Sequence, residues 1–191
     1  MNLLRILAAS VKVRLCLLTC SNICAYTMQF AIFSLTILLH LSIMAKLQEM
    51  AAEYFSSGFN CAQSVLSTYA NRFNIDEELS KRISCGFGGG MGKLQETCGA
   101  VTGAIMVISL YNCEKYEDND DRKAHTYSMV REFDARFKEI YGTTNCKSII
   151  KTDINTEEGY GYAIDNNLFE EVCSKCVTDS VSILEDILPK Q

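Results

Sequence analysis

Cysteine thiols are the side chains in this sequence with the clearest capacity for redox or metal chemistry. The chain of 191 residues contains ten cysteines, and the seven after Met44 are Cys61, Cys85, Cys98, Cys113, Cys146, Cys173 and Cys176. Structural disulfides are rare in the cytosol, and a domain of this size can bury an adequate core without them. The number of thiols therefore indicates metal or redox chemistry rather than a disulfide scaffold.

Three of these cysteines directly follow residues that favour helix N-caps, in the pairs Asn60-Cys61, Thr97-Cys98 and Asn145-Cys146. A thiol in the first turn of a helix faces unpaired backbone N–H groups and the positive end of the helix dipole. Both features favour the thiolate, which is the form that attacks disulfides or binds metals. We therefore expect activated thiols at Cys61, Cys98 and Cys146.

A glycine-rich segment joins Cys85 to Cys98 and continues to residue 103, and it contains seven of the eleven glycines in the chain. Glycine permits close approaches that side chains block, and successive amides can form a nest that binds an anion or a thiolate. The glycines expected to line a cofactor-binding site beside the two thiols are Gly88, Gly89, Gly90 and Gly99. The structural alternative is a tight turn leading into a helix that packs closely on a neighbour.

The other cysteines carry weaker signals. Cys173 and Cys176 form a C-x-x-C, which lies here on the apolar stripe of a helix rather than at a strand-to-helix turn. We expect Cys176 to serve core packing, and Cys113 has no partner at a recognisable spacing. Without a second C-x-x-C, the spacing of the cysteines is a weak signature of a metal cluster.

Helical periodicity extends over almost all of the sequence after Met44. Successive apolar stripes are separated by residues that favour helix boundaries, namely Gly58, Asn60, Asp76, Gly142 and Asn145. Ala100–Leu110 is apolar on nearly every side, which is typical of a central, buried helix. Segment 114–123 has the composition of a surface loop that leads into a helix start, segment 153–165 has the composition of a loop, and 168–188 is the last predicted helix. The sequence predicts an all-α fold, a single compact bundle of about six helices around the central apolar helix.

The first 43 residues form a hydrophobic leader, which we separate from a domain at 44–191. The run 26–43 is apolar enough, and nearly long enough, to span a bilayer. The leader is therefore a membrane anchor or a signal peptide. Met44 begins the first amphipathic helix, so a third alternative is that translation starts at Met44 and the leader is upstream sequence. A start at Met44 implies a cytoplasmic protein, whereas an anchor implies membrane association through 26–43.

The charge balance of the domain limits its partners. Three of the 18 basic residues lie in the leader, which leaves 15 basic against 23 acidic residues after it. Binding of nucleic acids needs clustered Lys and Arg side chains that neutralise phosphates. The acidic balance therefore argues against a nucleic-acid partner.

Three motifs stand out in the domain: Asn60-Cys61-Ala-Gln-Ser-Val, Cys85-Gly-Phe-Gly-Gly-Gly-Met-Gly and Cys98-Gly-Ala-Val-Thr-Gly103. Together they resemble the C_GCAxxG_C_C family, to which a redox role is ascribed. The likeness covers essentially Met44–Leu188 and excludes the leader. The resemblance implies a small redox domain whose defining cysteines correspond to Cys61, Cys85, Cys98 and Cys146, with Cys173 as a frequent fifth. Gln95 stands where the family pattern has a small residue, which implies a looser loop here.

Two chemical functions follow from these thiols, and the sequence favours the first. In the first, the chain is a thiol–disulfide oxidoreductase that serves a redox partner protein, in which Cys98 attacks and Cys85 or Cys61 resolves the mixed disulfide. In the second, zinc or an iron–sulfur cluster is bound by the ligands Cys61, Cys85, Cys98 and Cys146, with Cys173 as an additional ligand. A third explanation is a helical partner-binding domain in which the cysteines only pack. A homodimer is also compatible with the sequence.

Overall fold

The computed structural model of the protein describes residues 35, 38 and 42–188, and this part of the chain is helical without a β-strand. Its helices are α1 (42–56), α2 (Cys61–Thr68), α3 (Glu77–Ser84), α4 (Gly88–Met91), α5 (Gly99–Lys115), α6 (Asn119–Tyr141), α7 (Cys146–Ile150), α8 (Glu157–Asp165) and α9 (Lys175–Ile187). Turns of 3₁₀-helix lie at Asn71–Phe73 and Cys85–Phe87, and a π-helix spans Phe169–Ser174. The predicted all-α fold is confirmed.

Three predicted N-caps are confirmed. Asn60 accepts hydrogen bonds from the N–H groups of Ala62 and Gln63, and the Gln63 side chain accepts one from the Asn60 N–H. This reciprocal arrangement is a capping box, and it fixes the start of α2. Asp76 caps α3 and Asn145 caps α7, each through one backbone N–H.

Helix α5 is the centre of the core, as its apolar sequence predicts. Ala104, Val107 and Ile108 are fully buried, and α2, α6 and α9 pack around the helix. A Cβ added to Gly103 would lie 2.9 Å from the carbonyl oxygen of Ala62, so glycine is needed for the close approach of α2 and α5. This packing sets the start of α2 beside the first turns of α5.

The segment 114–123, predicted as a loop that leads into a helix start, does contain that start, but its loop is confined to residues 116–118. Helix α5 continues to Lys115, and Asp118 then caps α6 by accepting hydrogen bonds of 2.9 Å from two backbone N–H groups. The first turn of α6 also contains acidic side chains, which the positive end of the helix dipole stabilises. The charged composition that suggested a loop is therefore that of a capped helix start.

The loop predicted at 153–165 is wrong, because most of it forms α8. Thr156 caps this helix by accepting a hydrogen bond of 3.0 Å from the Gly159 N–H. A Cβ added to Gly159 would lie 2.1 Å from the Asp153 carbonyl oxygen. This glycine therefore serves close packing instead of a turn. With α4, α7 and α8, the described part of the chain has more helical elements than the six predicted.

The last predicted helix changes its winding along its length. Residues Phe169–Ser174 form a π-helix, and α9 continues from Lys175. A π-helix has i→i+5 hydrogen bonds in place of i→i+4, so residues on the two sides of the junction do not keep α-helical spacing. The junction separates the C-x-x-C, because Cys173 lies in the π-helix and Cys176 lies in α9.

The assignments made for the leader lie almost entirely outside the described residues. The membrane anchor at 26–43, the start at Met44 and the domain boundary between residues 43 and 44 therefore remain predictions. Among the described residues, no helix combines the length and the apolar character needed to cross a membrane.

Candidate functional site

A cavity of about 700 Å³ lies at the first turns of α2, α5 and α7. Six cysteines line it, namely Cys61, Cys85, Cys98, Cys146, Cys173 and Cys176. The structure therefore brings the four cysteines singled out by the sequence together with both members of the C-x-x-C. Cys113 is exposed near the end of α5 and is not among the lining residues.

The rest of the cavity wall is mostly apolar. Its aromatic and aliphatic residues are Phe55, Phe59, Ile149, Ile150, Ile154, Tyr160 and Phe169, and its charged residues are Lys93 and Glu170. Cavities of this size, with a mostly apolar lining and few charged groups, are typical of small-molecule sites.

Backbone hydrogen bonds hold the first turns of α5 and α7 side by side. Thr97 and Asn145 form an isolated antiparallel bridge. On either side of it, the Cys98 N–H donates to the Thr144 carbonyl oxygen at 2.8 Å, and the Cys146 N–H donates to the Glu96 carbonyl oxygen at 2.6 Å. Cys98 and Cys146 are thereby fixed as neighbours, although 48 positions separate them in the chain.

The glycine-rich segment before this bridge is wound in the left-handed sense. Five consecutive residues have positive φ, with values of 61° at Gly89, 70° at Gly90, 64° at Met91, 66° at Gly92 and 65° at Lys93. This conformation costs roughly 1–2 kcal/mol for each residue that carries a Cβ, and glycine avoids the cost. The left-handed winding explains why glycine occupies three of the five positions.

Two of the predicted glycines, Gly90 and Gly99, also allow cysteines to approach the backbone. A Cβ on Gly90 would lie 2.7 Å from the Cβ of Cys146, and a Cβ on Gly99 would lie 3.1 Å from the Cβ of Cys61. Gly99 lines the cavity, whereas Gly90 is not among the lining residues. Gly90 therefore serves close packing, which is the structural alternative set out above for this segment.

Gly88 and Gly89 line the cavity, and a cofactor beside them remains a prediction. A Cβ on Gly88 would lie 2.3 Å from the Asn60 side-chain carbon Cγ, so Gly88 also makes room for the N-cap of α2. The Asn60 side chain in turn donates a hydrogen bond of 2.9 Å to the Cys85 carbonyl oxygen. One asparagine thus connects the start of α2 to the start of the glycine-rich segment.

Gln95 tightens the loop that its size was expected to loosen. It is buried with a φ of 57°. Its Nε2 donates to the Thr152 carbonyl oxygen at 2.8 Å, and its Oε1 accepts from the Ile154 N–H at 3.0 Å. Its own carbonyl oxygen accepts from the Asn145 side chain at 3.1 Å. A small residue could not connect the glycine-rich segment to residues 152–154 in this way.

Cys98 and Cys176 form a pair of contacting thiols in which one favours ionisation. Interaction with the nearby Cys176 thiol lowers the pKa of Cys98. The N–H groups of Ala100 and Val101 also lower this pKa, although Cys98 makes no regular side-chain cap. These effects outweigh burial, which acts in the opposite direction. The same interaction, together with burial, raises the pKa of Cys176.

The expectation of activated thiols at Cys61 and Cys146 is wrong. Interaction with Cys173, followed by burial and the negative charge of Cys98, raises the pKa of Cys61 well above its usual value. Burial, followed by the charges of Cys98 and Cys173, raises the pKa of Cys146 to about 12. A shared and largely apolar cavity disfavours a second charge near the first. Of the three thiols expected to be activated, Cys98 alone has a lowered pKa.

The difference among these three cysteines follows from the position of the cap. Asn60 and Asn145 occupy the N-caps of α2 and α7 and accept hydrogen bonds from the first N–H groups. Cys61 and Cys146 therefore stand one residue later, where those donors are already engaged. At α5 the expected cap, Thr97, lies outside the helix, and Cys98 is itself the N-cap. Its sulfur faces donors that no other side chain occupies.

Tyr141 and Asp179 extend the contacts of Cys176, and the sequence reading missed both. The Tyr141 hydroxyl donates a hydrogen bond of 2.7 Å to Asp179 Oδ2 and also contacts the Cys176 sulfur. Burial, followed by the bond to Asp179, raises the pKa of Tyr141 above its usual value. The sequence signal for these two residues was a polar side chain on the inner face of a helix, Tyr141 in α6 and Asp179 in α9, close to Cys176.

Cys85 occupies the exposed side of the cavity. It begins the 3₁₀ turn Cys85–Phe87, and its side chain is more exposed than those of the five other lining cysteines. Within residues 42–188, no group of three or more Cys, His, Asp or Glu side chains is arranged to hold a metal ion.

The chain is similar to a known family of proteins and to one archaeal protein. The family model described as "Putative redox-active protein (C_GCAxxG_C_C)" matches residues 59–187. An uncharacterised protein of Archaeoglobus fulgidus is 26% identical over 148 residues, which cover 74% of this chain and 95% of that protein. No solved structure matches the chain.

Proposed function

The chain belongs to the C_GCAxxG_C_C family of redox-active proteins, and from that premise we propose that it is a thiol–disulfide redox protein whose working couple is Cys98 and Cys176. The observation that carries this proposal is the contact between the two thiols at the start of α5. One member of the pair favours the thiolate and the other keeps its proton. A nucleophile beside a resolving thiol is the arrangement that disulfide exchange requires.

In the proposed reaction, the Cys98 thiolate attacks one sulfur of a substrate disulfide. The substrate S–S bond breaks, a mixed disulfide forms on Cys98, and the first substrate thiolate leaves. Cys176 then loses its proton and attacks the Cys98 sulfur, which releases the second substrate thiolate. Two electrons pass to the substrate, the protein gains a Cys98–Cys176 disulfide, and the Cys176 proton goes to a released thiolate.

The proposal differs from the sequence prediction in the resolving residue. The sequence favoured Cys85 or Cys61 for this step, whereas Cys176 is the thiol that contacts Cys98. Resolution requires attack on the sulfur of the mixed disulfide, so a thiol already in contact with Cys98 is the better placed. Tyr141, which donates its hydroxyl hydrogen to Asp179, lies beside Cys176.

Disulfide mapping tests the proposed couple. The reduced full-length chain is treated with one equivalent of 2-hydroxyethyl disulfide, free thiols are alkylated, and the peptides are identified by mass spectrometry. We expect a Cys98–Cys176 linkage, also in a Cys113→Ser control that removes an exposed thiol outside the cavity. Alkylation of both cysteines at every oxidant concentration would contradict the proposal.

The pH dependence of alkylation gives a second prediction. Since the pKa of Cys98 is lowered, its thiolate persists to a lower pH than that of a free cysteine, whose pKa is about 8.5. The rate of reaction of Cys98 with iodoacetamide should therefore reach half of its maximum below that pH. Cys146 is the internal control, because a pKa of about 12 keeps it protonated near neutral pH. Equal rates for the two residues at neutral pH would contradict the assignment.

A further inference from the structure

The two cysteines of the C-x-x-C contact different partners. Cys176, in α9, interacts with Cys98, whereas Cys173, in the π-helix, interacts with Cys61. The change from π to α winding between Cys173 and Cys176 allows the two side chains to diverge. All four sulfur-bearing residues line the same cavity, so two thiol pairs share one space.

The two pairs differ in their access to solvent. Cys98 and Cys176 are 5% and 1% exposed, whereas Cys61 and Cys173 are half-buried. We call Cys98 and Cys176 the inner couple, and Cys61 and Cys173 the outer pair. A reactant too large to enter the cavity would meet the outer pair more readily than the inner couple.

The positions of the two pairs along the backbone keep them adjacent. A Cβ added to Gly99, the residue after Cys98, would lie 3.1 Å from the Cβ of Cys61. Cys173 and Cys176 are three residues apart in one continuous helical segment. Each pair therefore has one member at the start of α5 or α2 and one member in the C-x-x-C.

We propose that Cys61 and Cys173 form a second dithiol–disulfide couple, and that the C-x-x-C passes a disulfide between this outer couple and the inner couple. The inference rests on the proposed function, because oxidation of the inner couple by substrate supplies the disulfide that is passed. The chain would then hold four electrons in its fully reduced state. Its outer couple would exchange with a second, larger thiol or disulfide.

The transfer is a sequence of two thiol–disulfide exchanges. Cys173 loses its proton to solvent and attacks the Cys176 sulfur of the inner disulfide, and Cys98 leaves as a thiolate. Cys61 then attacks the Cys173 sulfur of the new Cys173–Cys176 disulfide, and Cys176 leaves and takes up the proton lost by Cys61. One S–S bond has moved from the inner to the outer couple, and the number of electrons on the chain is unchanged.

The number of thiols oxidised in the full-length chain tests the second couple. With one equivalent of 2-hydroxyethyl disulfide, we expect mass spectrometry to detect both Cys98–Cys176 and Cys61–Cys173 linkages in the population. With excess oxidant, the loss of thiols at these four positions should double from two to four per chain. The Cys113→Ser variant is the matched control and should give the same linkages.

Two variants test the route of transfer. Cys61→Ser removes the second exchange, so partial oxidation should yield the Cys173–Cys176 linkage, which wild type resolves. Cys98→Ser removes the source of the transferred disulfide but should still form Cys61–Cys173 when oxidised directly. The far-UV circular dichroism spectrum of each variant, compared with wild type, shows that it is folded.

The outcomes separate this inference from the proposed function. If Cys98–Cys176 forms while Cys61 and Cys173 remain alkylated under excess oxidant, the second couple is overturned and the proposed function stands. If Cys61–Cys173 forms while the inner linkage never does, the proposed working couple fails and the transfer fails with it. If both linkages form but Cys61→Ser gives no Cys173–Cys176 linkage, the route through the C-x-x-C is wrong.

Discussion

Replacing Cys98 with serine is expected to slow the reduction of 2-hydroxyethyl disulfide by the reduced protein at least about 10²-fold. The thiolate is the attacking species, and a serine at position 98 cannot supply one. Cys176 does not substitute for it, because burial and its neighbours hold its pKa above the usual range. The measurement is the fast phase of 2-mercaptoethanol release after mixing, followed by chemical quench.

Two controls make this result specific. Cys113→Ser should keep the fast phase, since the exposed Cys113 lies outside the cavity. Cys176→Ser should keep one rapid release of thiol, from formation of the mixed disulfide on Cys98, but lose the second. A Cys98→Ser protein that retains both rapid releases would show that another thiol starts the reaction.

Replacing Gly90 with alanine is expected to lower the free energy of unfolding by about 2–5 kcal/mol. The left-handed conformation contributes about 1–2 kcal/mol of this loss, since Gly90 has a φ of 70°. Overpacking contributes a further 1–3 kcal/mol, roughly, because the new Cβ would lie 2.7 Å from the Cys146 Cβ and 2.8 Å from the Gln95 Cα. Denaturant unfolding under reducing conditions measures the change.

Gly161→Ala is the matched control for this substitution. Gly161 lies in α8, and nothing is within 4 Å of the Cβ that alanine would add. Alanine should therefore stabilise this helix by about 0.5–1 kcal/mol. If the Gly90→Ala and Gly161→Ala proteins unfold at the same denaturant concentration, the left-handed turn is not the constraint described here.

The helical fold was predictable because the local signals agree with one another. Asn60, Asp76 and Asn145 each precede a helix that they cap, and the apolar segment after Cys98 forms the buried centre. The predicted loop at 153–165 was wrong because glycine occurs both in turns and where another part of the chain packs closely. Gly159 is required by a neighbouring carbonyl group, which the sequence does not distinguish from a turn.

The sequence singled out four of the six cysteines that line the cavity, but it did not indicate the pairing proposed above. Cap positions and family motifs pointed to Cys61, Cys85, Cys98 and Cys146, and all four line one cavity. The pairing of Cys176 with Cys98 depends on where a helix changes from π to α winding, and residue periodicity does not specify that position. The sequence placed Cys176 in the core as a packing residue, and Cys176 is indeed buried there, but its proximity to Cys98 was not indicated.

Ionisation was the least predictable property, because it depends on single-residue differences in register. Cys98 is an N-cap, whereas Cys61 and Cys146 are the first residues of their helices. That shift decides whether the sulfur faces free N–H groups. Burial near the Cys98 thiolate also raises the pKa values of Cys61 and Cys146. That burial is a property of the assembled cavity and cannot be predicted from the local sequence.

The crowding of thiols around a single favoured charge also sets an order of events. The negative charge on Cys98 raises the pKa values of both Cys61 and Cys146. In the proposed cycle, formation of the Cys98–Cys176 disulfide removes that charge, so the acidity of both neighbours increases at that moment. Interaction with Cys173 and burial come before the Cys98 charge among the causes that raise the pKa of Cys61, so oxidation of Cys98 would ease the ionisation of Cys61 without making it free. The electrostatics of the cavity would thus favour oxidation of the inner couple before the outer pair.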